Sequence, residues 1–89
     1  MKITSIELSS RYKKSFRRLH PRIQRKAILK IKVFRENPFN PQLRTHPLSG
    51  KEKECWAFWV DYRYRIKFIF LSDEEVLFLD IGLHDIYRK

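Results

Sequence analysis

Three basic side chains at alternate positions of one predicted strand could bind an anion. From residue 61 to residue 70 the chain alternates with period two, which predicts a strand with one apolar face and one basic face. The apolar face is formed by Tyr62, Tyr64, Ile66, Phe68 and Phe70, and the basic face by Arg63, Arg65 and Lys67. Because an ordinary solvated strand face mixes charge signs, a row of one sign indicates an anionic ligand, with plain solvation as the alternative.

Residues suited to proton transfer follow later in the chain. His84 comes just after the last predicted strand, where an imidazole can give or take a proton near neutral pH. Tyr87 could stack on an RNA base or donate a hydrogen bond. The alternatives are a surface histidine without a role and a tyrosine that only anchors the tail.

These residue types suit the cleavage of RNA without a metal or a cofactor. The 2′-hydroxyl of RNA can attack the adjacent phosphorus. An enzyme then needs a base for that hydroxyl, an acid for the leaving 5′-oxygen and cations around the phosphorane. Arg65 could hold two phosphate oxygens at once, and Arg63 and Lys67 could contact the RNA backbone.

The charge balance favours an anionic partner. The chain has 89 residues with 20 Lys and Arg against 10 Asp and Glu, a net charge of +10. Between Ser10 and Asn37 the sequence contains 11 basic residues and a single acidic residue, Glu36. Such a surface attracts phosphate backbones or an acidic protein, without sequence specificity.

Length and composition predict one cytoplasmic domain over residues 1–89. The single cysteine, Cys55, excludes an internal disulfide, and the absence of a Cys/His cluster makes a metal site unexpected. No apolar run approaches the ~20 residues that a membrane-spanning helix needs, so no membrane partner is expected.

The pattern of elements predicts an α+β fold. Ser9 and Ser10 offer a cap for a first helix that ends at Leu19, and Pro21 starts a second helix that stops at Asn37. The predicted strands are Ile3–Leu8, Glu54–Val60, Tyr62–Leu71 and Val76–Ile81. A strand, a helical hairpin and a three-stranded antiparallel meander predict helices packed on one face of the sheet, which leaves the other face open.

Three stretches resemble the RelE/ParE superfamily of bacterial and archaeal toxins, and within it the RelE/YafQ-like mRNA interferases. They are His46-Pro47-Leu48-Ser49-Gly50, Cys55 through Tyr62-Arg63-Tyr64-Arg65-Ile66, and Leu79 through Gly82-Leu83-His84-Asp85-Ile86-Tyr87-Arg88. The resemblance covers nearly the whole chain. Two departures stand out: Tyr87 follows His84 by three residues where many relatives have four, and Leu83 replaces the more usual Thr.

The resemblance implies the toxin of a type II toxin-antitoxin pair, a ribosome-associated endoribonuclease that cleaves mRNA. It implies catalytic roles for Arg65, His84, Tyr87 and the loop histidine His46. Its implied partners are an antitoxin, mRNA and the ribosome, with DNA reached only through the antitoxin. RNA contacts are predicted for Arg63, Lys67, Lys51, Lys53 and Arg88. The alternatives are a ParE-like DNA gyrase inhibitor without nuclease activity and a basic nucleic-acid-binding module.

Overall fold

The computed structural model describes residues 1–84, which form two helices and one five-stranded sheet. The elements in chain order are β1 (Ser5–Leu8), α1 (Ser10–Arg17), α2 (Pro21–Glu36), β2 (His46–Pro47), β3 (Trp56–Trp59), β4 (Tyr64–Phe70) and β5 (Glu75–Leu83), with short 3-10 helices at Pro41–Leu43 and Gly50–Glu52. The strand order is β1-β5-β4-β3-β2. Strand β1 runs parallel to β5 and the other pairs are antiparallel. The predicted α+β fold is confirmed.

The helix boundaries follow local capping. The hydroxyl of Ser9 accepts a hydrogen bond from the N–H of Tyr12 (3.0 Å), which makes Ser9 the predicted cap of α1. Helix α2 begins at Pro21, as predicted, and Asn37 is its C-terminal cap. Helix α1 ends at Arg17, two residues before Leu19, because the chain tightens into a turn before Pro21. Within residues 1–84 no helix is long and apolar enough to cross a membrane.

Stacked aromatic rings join both helices to one face of the sheet. Phe34 of α2 is fully buried and stacks on Phe58 with ring centroids 4.5 Å apart. Its edge meets Phe68, and Phe78 contacts both Phe34 and Tyr12 of α1. Since one β5 side chain contacts both helices, α1 and α2 cover the same face, as the sequence predicts.

Several strand boundaries differ from the sequence prediction. Strand β4 begins at Tyr64 instead of at residue 62, because Asp61 starts a tight turn: the N–H groups of Val60 and Asp61 donate to the carbonyl of Tyr64. Tyr62 therefore leaves the apolar face and is 80% exposed. Strand β3 is shorter than predicted, and β5 extends to Leu83. Strand β2 lies in a stretch predicted to be a loop.

Candidate active site

Arg65 and His84 line one open hollow, where β4 begins and β5 ends. The hollow has a volume of about 320 Å³, and its lining residues are Tyr62, Arg63, Arg65, Leu83 and His84. The N–H of His84 donates to the carbonyl of Arg63 (3.1 Å), which extends the pairing of the two strands beyond Leu83. The side chain of His84 is exposed there. A cation and an exposed imidazole thus share a space that can admit a ligand.

The guanidinium of Arg65 is buried and fixed. The residue is 8% exposed, and its Nη1 donates to the carbonyls of Asp61 (2.9 Å) and Tyr62 (2.8 Å). Its Cζ lies 4.1 Å from the ring of Trp59. Within residues 1–84 it has no carboxylate partner, and all its hydrogen bonds come from Nη1. Its Nε and Nη2 make no hydrogen bond within residues 1–84, and Arg65 is one of the residues that line the hollow.

The expectation of three solvent-facing cations in a row is wrong. Arg63 is exposed, but it lies in the turn before β4. Arg65 is on the predicted face, yet Trp59 and the carbonyls of the turn cover it. The amino group of Lys67 forms an ion pair with Glu52 (3.0 Å), and its side chain is only 15% exposed. The sheet face opposite the helices is thus partly covered by the segment that contains Glu52.

Asp61 organises the turn that holds Arg65. Its Oδ1 accepts hydrogen bonds from the N–H groups of Arg63 (2.9 Å) and Tyr64 (2.8 Å), and its Oδ2 pairs with Lys26 (3.2 Å). Burial raises the pKa of Asp61, but these hydrogen bonds and the Lys26 charge outweigh it, so the pKa lies below its ordinary value. The ion pair of Asp61 thus ties the turn to helix α2 through Lys26.

His46 lies away from the hollow. It sits in β2, half-buried, with Nδ1 2.8 Å from the carbonyl oxygen of Arg44. It pairs with Ala57 of β3, and Ala57 pairs with Lys67 of β4. At ~4.8 Å between strands, two steps place its backbone about 10 Å from that of β4. His46 is not among the residues that line the hollow.

The remaining predicted residues divide into two groups. Lys51 lies in the short helix Gly50–Glu52, and Lys53 follows it with an exposed side chain. Lys53 is not among the residues that line the hollow. The predicted catalytic Tyr87 and the predicted RNA contact Arg88 lie outside the described residues.

Two residues beside Arg65, Trp59 and Arg44, were not predicted as site residues. Residues three apart in a strand point to opposite faces of the sheet, and of the two tryptophans of β3 it is Trp59 that shares the face of Arg65. The Cζ of Arg44 lies 4.6 Å from the Trp59 ring. The sequence does not say which of the two tryptophans faces the core. In the structure, two guanidinium groups contact the ring of Trp59. The sequence does not predict a role for Arg44, because Arg44 lies in an irregular loop whose position relative to β3 has no local sequence pattern.

Comparisons with known proteins identify the fold. No family model and no curated protein sequence matches the chain. A YoeB/ParE toxin from Agrobacterium tumefaciens is structurally similar, with a TM-score of 0.74 and 17% identity, over 94% of this chain and 99% of that one. The RelE–RelB complex from the archaeon Pyrococcus horikoshii OT3 gives 0.73 at 12% identity, over 97% and 99%. The E. coli DinJ–YafQ toxin-antitoxin complex gives 0.68 at 22% identity, over 94% of each chain.

The chain therefore has the fold of the RelE, YafQ and YoeB/ParE toxins, as the sequence resemblance implies. The similarity spans nearly the full length of each protein. At these identities it concerns the backbone alone, because one fold can host unrelated activities. Any activity of this chain has to be argued from its own side chains.

Proposed function

We propose that the protein is the toxin of a toxin-antitoxin pair and acts as a metal-independent endoribonuclease on mRNA at the ribosome. The observation that carries the proposal is the hollow shared by Arg65, which has no counter-ion among residues 1–84, and the exposed His84. A buried cation without a carboxylate partner is costly unless a ligand supplies the negative charge.

The residues of the hollow match the steps of phosphodiester cleavage. The RNA 2′-oxygen forms a bond to phosphorus while the bond from phosphorus to the 5′-oxygen breaks, leaving a 2′,3′-cyclic phosphate and a 5′-hydroxyl. The free edge of Arg65 binds the non-bridging oxygens and stabilises the charge of the phosphorane. His84 transfers one of the two protons, either from the 2′-hydroxyl or to the leaving 5′-oxygen, and solvent water exchanges the other. Arg63, exposed at the rim, adds positive field.

The proposed partner is an antitoxin, and the two solved complexes with this fold support it by their composition. An apolar groove of about 360 Å³ lies between the two helices and the β1 edge of the sheet, away from the hollow. Ile6, Leu8, Tyr12, Phe16, Ile28, Ile31, Arg35 and Phe78 line it. An amphipathic antitoxin segment fits such a groove.

The test exploits the exposure of His84. We expect His84→Asn to lower mRNA cleavage by about 100-fold or more, the usual loss when a general acid or base is removed. The melting temperature should stay within about 2 °C of the wild type, since the backbone bond to Arg63 remains. Primer extension on mRNA from expressing cells, and on ribosomes with purified protein, measures the cleavage.

The matched control is His20→Asn. His20 is exposed and caps α2 through Nδ1, a role that Asn also fills, so this variant should cleave as the wild type does. Full cleavage by His84→Asn would show that the His84 imidazole does not transfer a proton in the reaction. Because one similar structure is named YoeB/ParE, a gyrase supercoiling assay is run alongside. Inhibited supercoiling with intact mRNA would replace the nuclease by a gyrase inhibitor.

A further inference from the structure

A single cross-strand row runs from the hollow to the far edge of the sheet. Gly82 of β5 pairs with Arg65 of β4, and Arg65 pairs with Trp59 of β3. Arg44 precedes His46 by two residues, and His46 pairs with Ala57, so Arg44 continues the row beside Trp59. With ~4.8 Å between neighbouring strands, the row is about 14 Å long. The site of Arg65 therefore extends across the sheet to Arg44.

The backbone of Arg44 has an unusual conformation. It is the only non-glycine residue among residues 1–84 with a positive φ (51°), and it caps the short helix Pro41–Leu43 by donating to the carbonyl of Pro41 (3.2 Å). Glycine or asparagine would adopt this left-handed conformation more easily. The exposed Arg44 side chain lies against Trp59. The position thus carries a guanidinium where the backbone alone favours a smaller residue.

Arg44 and Arg65 bring two unneutralised charges together. Both Cζ atoms lie close to the same indole, at 4.6 and 4.1 Å, and so within roughly 10 Å of each other, which is about one Debye length at physiological salt. Within residues 1–84 neither residue forms an ion pair with a carboxylate. Their mutual repulsion is only partly screened, and an anion that touches both would relieve it.

We propose that Arg44 binds the phosphate adjacent to the one that Arg65 holds, and that Trp59 is a positioning residue that fixes the distance between the two guanidinium groups. The ligand is a single RNA strand with at least two consecutive phosphates. The inference rests on the proposed function and deepens it, because it gives the direction in which RNA leaves the hollow, along the row toward β2. In this proposal the Trp59 ring packs against the two guanidinium groups and does not stack on an RNA base.

The test measures binding to an RNA that cannot be cut. A single-stranded, fully 2′-O-methylated RNA oligonucleotide with a fluorescent label has no attacking hydroxyl, and its anisotropy reports affinity over a range of salt concentrations. We expect Arg44→Gln to weaken binding about 5- to 10-fold at low salt and to reduce the slope of log K against log salt by about 1, the value for one lost phosphate contact. Arg44→Lys should restore the slope, since it keeps the charge, and recover only part of the affinity.

The matched control is Arg35→Gln, which removes the same charge at the other end of the sheet. The carbonyl of Arg35 accepts from the N–H of Ile3, near the Ser5–Glu75 pair where β5 begins, whereas His84 follows the end of β5. We expect this variant to change affinity less than twofold with an unchanged slope. Trp59→Leu should lower affinity as Arg44→Gln does, and adding Arg44→Gln to it should cause little further loss.

Three results would overturn the inference: no binding of the oligonucleotide by the wild type, a wild-type slope in Arg44→Gln, or equal losses in Arg44→Gln and Arg35→Gln. The outcomes separate this inference from the proposed function. If the wild type cleaves mRNA and Arg44→Gln keeps the wild-type slope, only the role of Arg44 falls. If the slope drops but the wild type leaves mRNA intact, only the cleavage falls.

Discussion

At the scale of the residue, Arg65 is a charged side chain that is buried and yet has no carboxylate partner within residues 1–84. A guanidinium that is 8% exposed needs polar partners, and the carbonyls of Asp61 and Tyr62 satisfy one of its nitrogens. Carbonyl dipoles do not neutralise the charge, and the proposed function assigns that neutralisation to an RNA phosphate. The same contacts make Arg65 structural. Truncating Arg65 would leave the carbonyls of Asp61 and Tyr62 without this partner, so we expect Arg65→Ala to lower stability as well as activity.

Asp61 gives a prediction about pH. Its folded-state pKa is depressed, so its charge contributes stability above the unfolded-state value of ~3.9, and this contribution disappears as the pH falls through the folded-state pKa. Asp61→Asn keeps an oxygen that accepts from Arg63 and Tyr64 but loses the charge. We expect the wild type to be about 1 kcal/mol more stable than Asp61→Asn near pH 6 and equal to it near pH 2. Urea unfolding at several pH values measures the difference.

A matched control for this prediction is Glu7→Gln. Glu7 is exposed in β1 and has no ion pair within residues 1–84. Its variant removes an exposed carboxylate that makes no ion pair, so it should lower stability near pH 6 by less than Asp61→Asn does. If Asp61→Asn showed a difference that is independent of pH, the charge of Asp61 would not stabilise the turn, and the amide would be an equivalent cap.

The sequence predicts which residues line the hollow, but it does not predict how buried they are or what they contact. The types Arg65 and His84 predict phosphate chemistry, and the strand pairing then brings both to one hollow. The burial of Arg65 could not be predicted, because simple alternation from residue 62 places Tyr62 in the core and all three cations in solvent. That alternation starts only at Tyr64, after the turn fixed by Asp61. Arg44 and Trp59 become site residues only through three-dimensional pairing.

At the scale of the element, the helices were predictable and the sheet edges were not. Periodic apolar residues with Ser9 and Pro21 as start signals are local, so they place α1 and α2 within two residues. Strand β2 contains only His46 and Pro47, too short for any alternation to appear. The parallel pairing of β1 with β5 joins residues 70 positions apart, which no local pattern reveals.

The segment that folds over Lys67 gives a second prediction, with Cys55 as the probe. Burial, followed by the hydrogen bond to Glu52 (3.4 Å), raises the pKa of the Cys55 thiol. Glu52 itself has a lowered pKa, chiefly because of the hydrogen bond from Lys67. Glu52→Gln removes the negative charge beside the thiol. At about pH 8 it should increase the rate of Cys55 alkylation by iodoacetamide several-fold, since the thiolate is the nucleophile.

The reference for this measurement is the same pair of proteins in concentrated urea. There the wild type and Glu52→Gln should react at equal rates, both faster than the folded wild type. Glu54→Gln is the matched control, because Glu54 is exposed and is the least of the charges that act on Cys55. Equal folded-state rates in Glu52→Gln and the wild type would show that Glu52 does not hold this segment against β4.

At the scale of the whole molecule, the two faces of the sheet differ in what they expose. The face that carries Trp59 holds the guanidinium groups of Arg44 and Arg65, where the proposed function places the RNA. The other face is covered by α1 and α2, and between these helices an apolar groove remains open. Most of the 11 basic residues between Ser10 and Asn37 lie on these helices, and Arg35 is among the residues that line the groove. An occupant with an apolar stripe and acidic flanks would match both features.

Substitutions at two neighbouring residues of α2 separate the role of this groove from that of the candidate active site. Ile28 lines the groove and is 48% exposed, whereas its neighbour Leu29 is 61% exposed and does not line it. The antitoxin is first obtained by selecting a genomic fragment that restores growth to cells that express the wild-type protein. Ile28→Asp should still arrest growth, because the hollow is elsewhere, but should escape neutralisation, with antitoxin affinity lower by about 100-fold for a charge placed in an apolar contact. Leu29→Asp is the matched control and should remain neutralised. Equal neutralisation of the two variants would show that the antitoxin binds another surface, and loss of arrest in Ile28→Asp alone would show that the groove belongs to the toxic function itself.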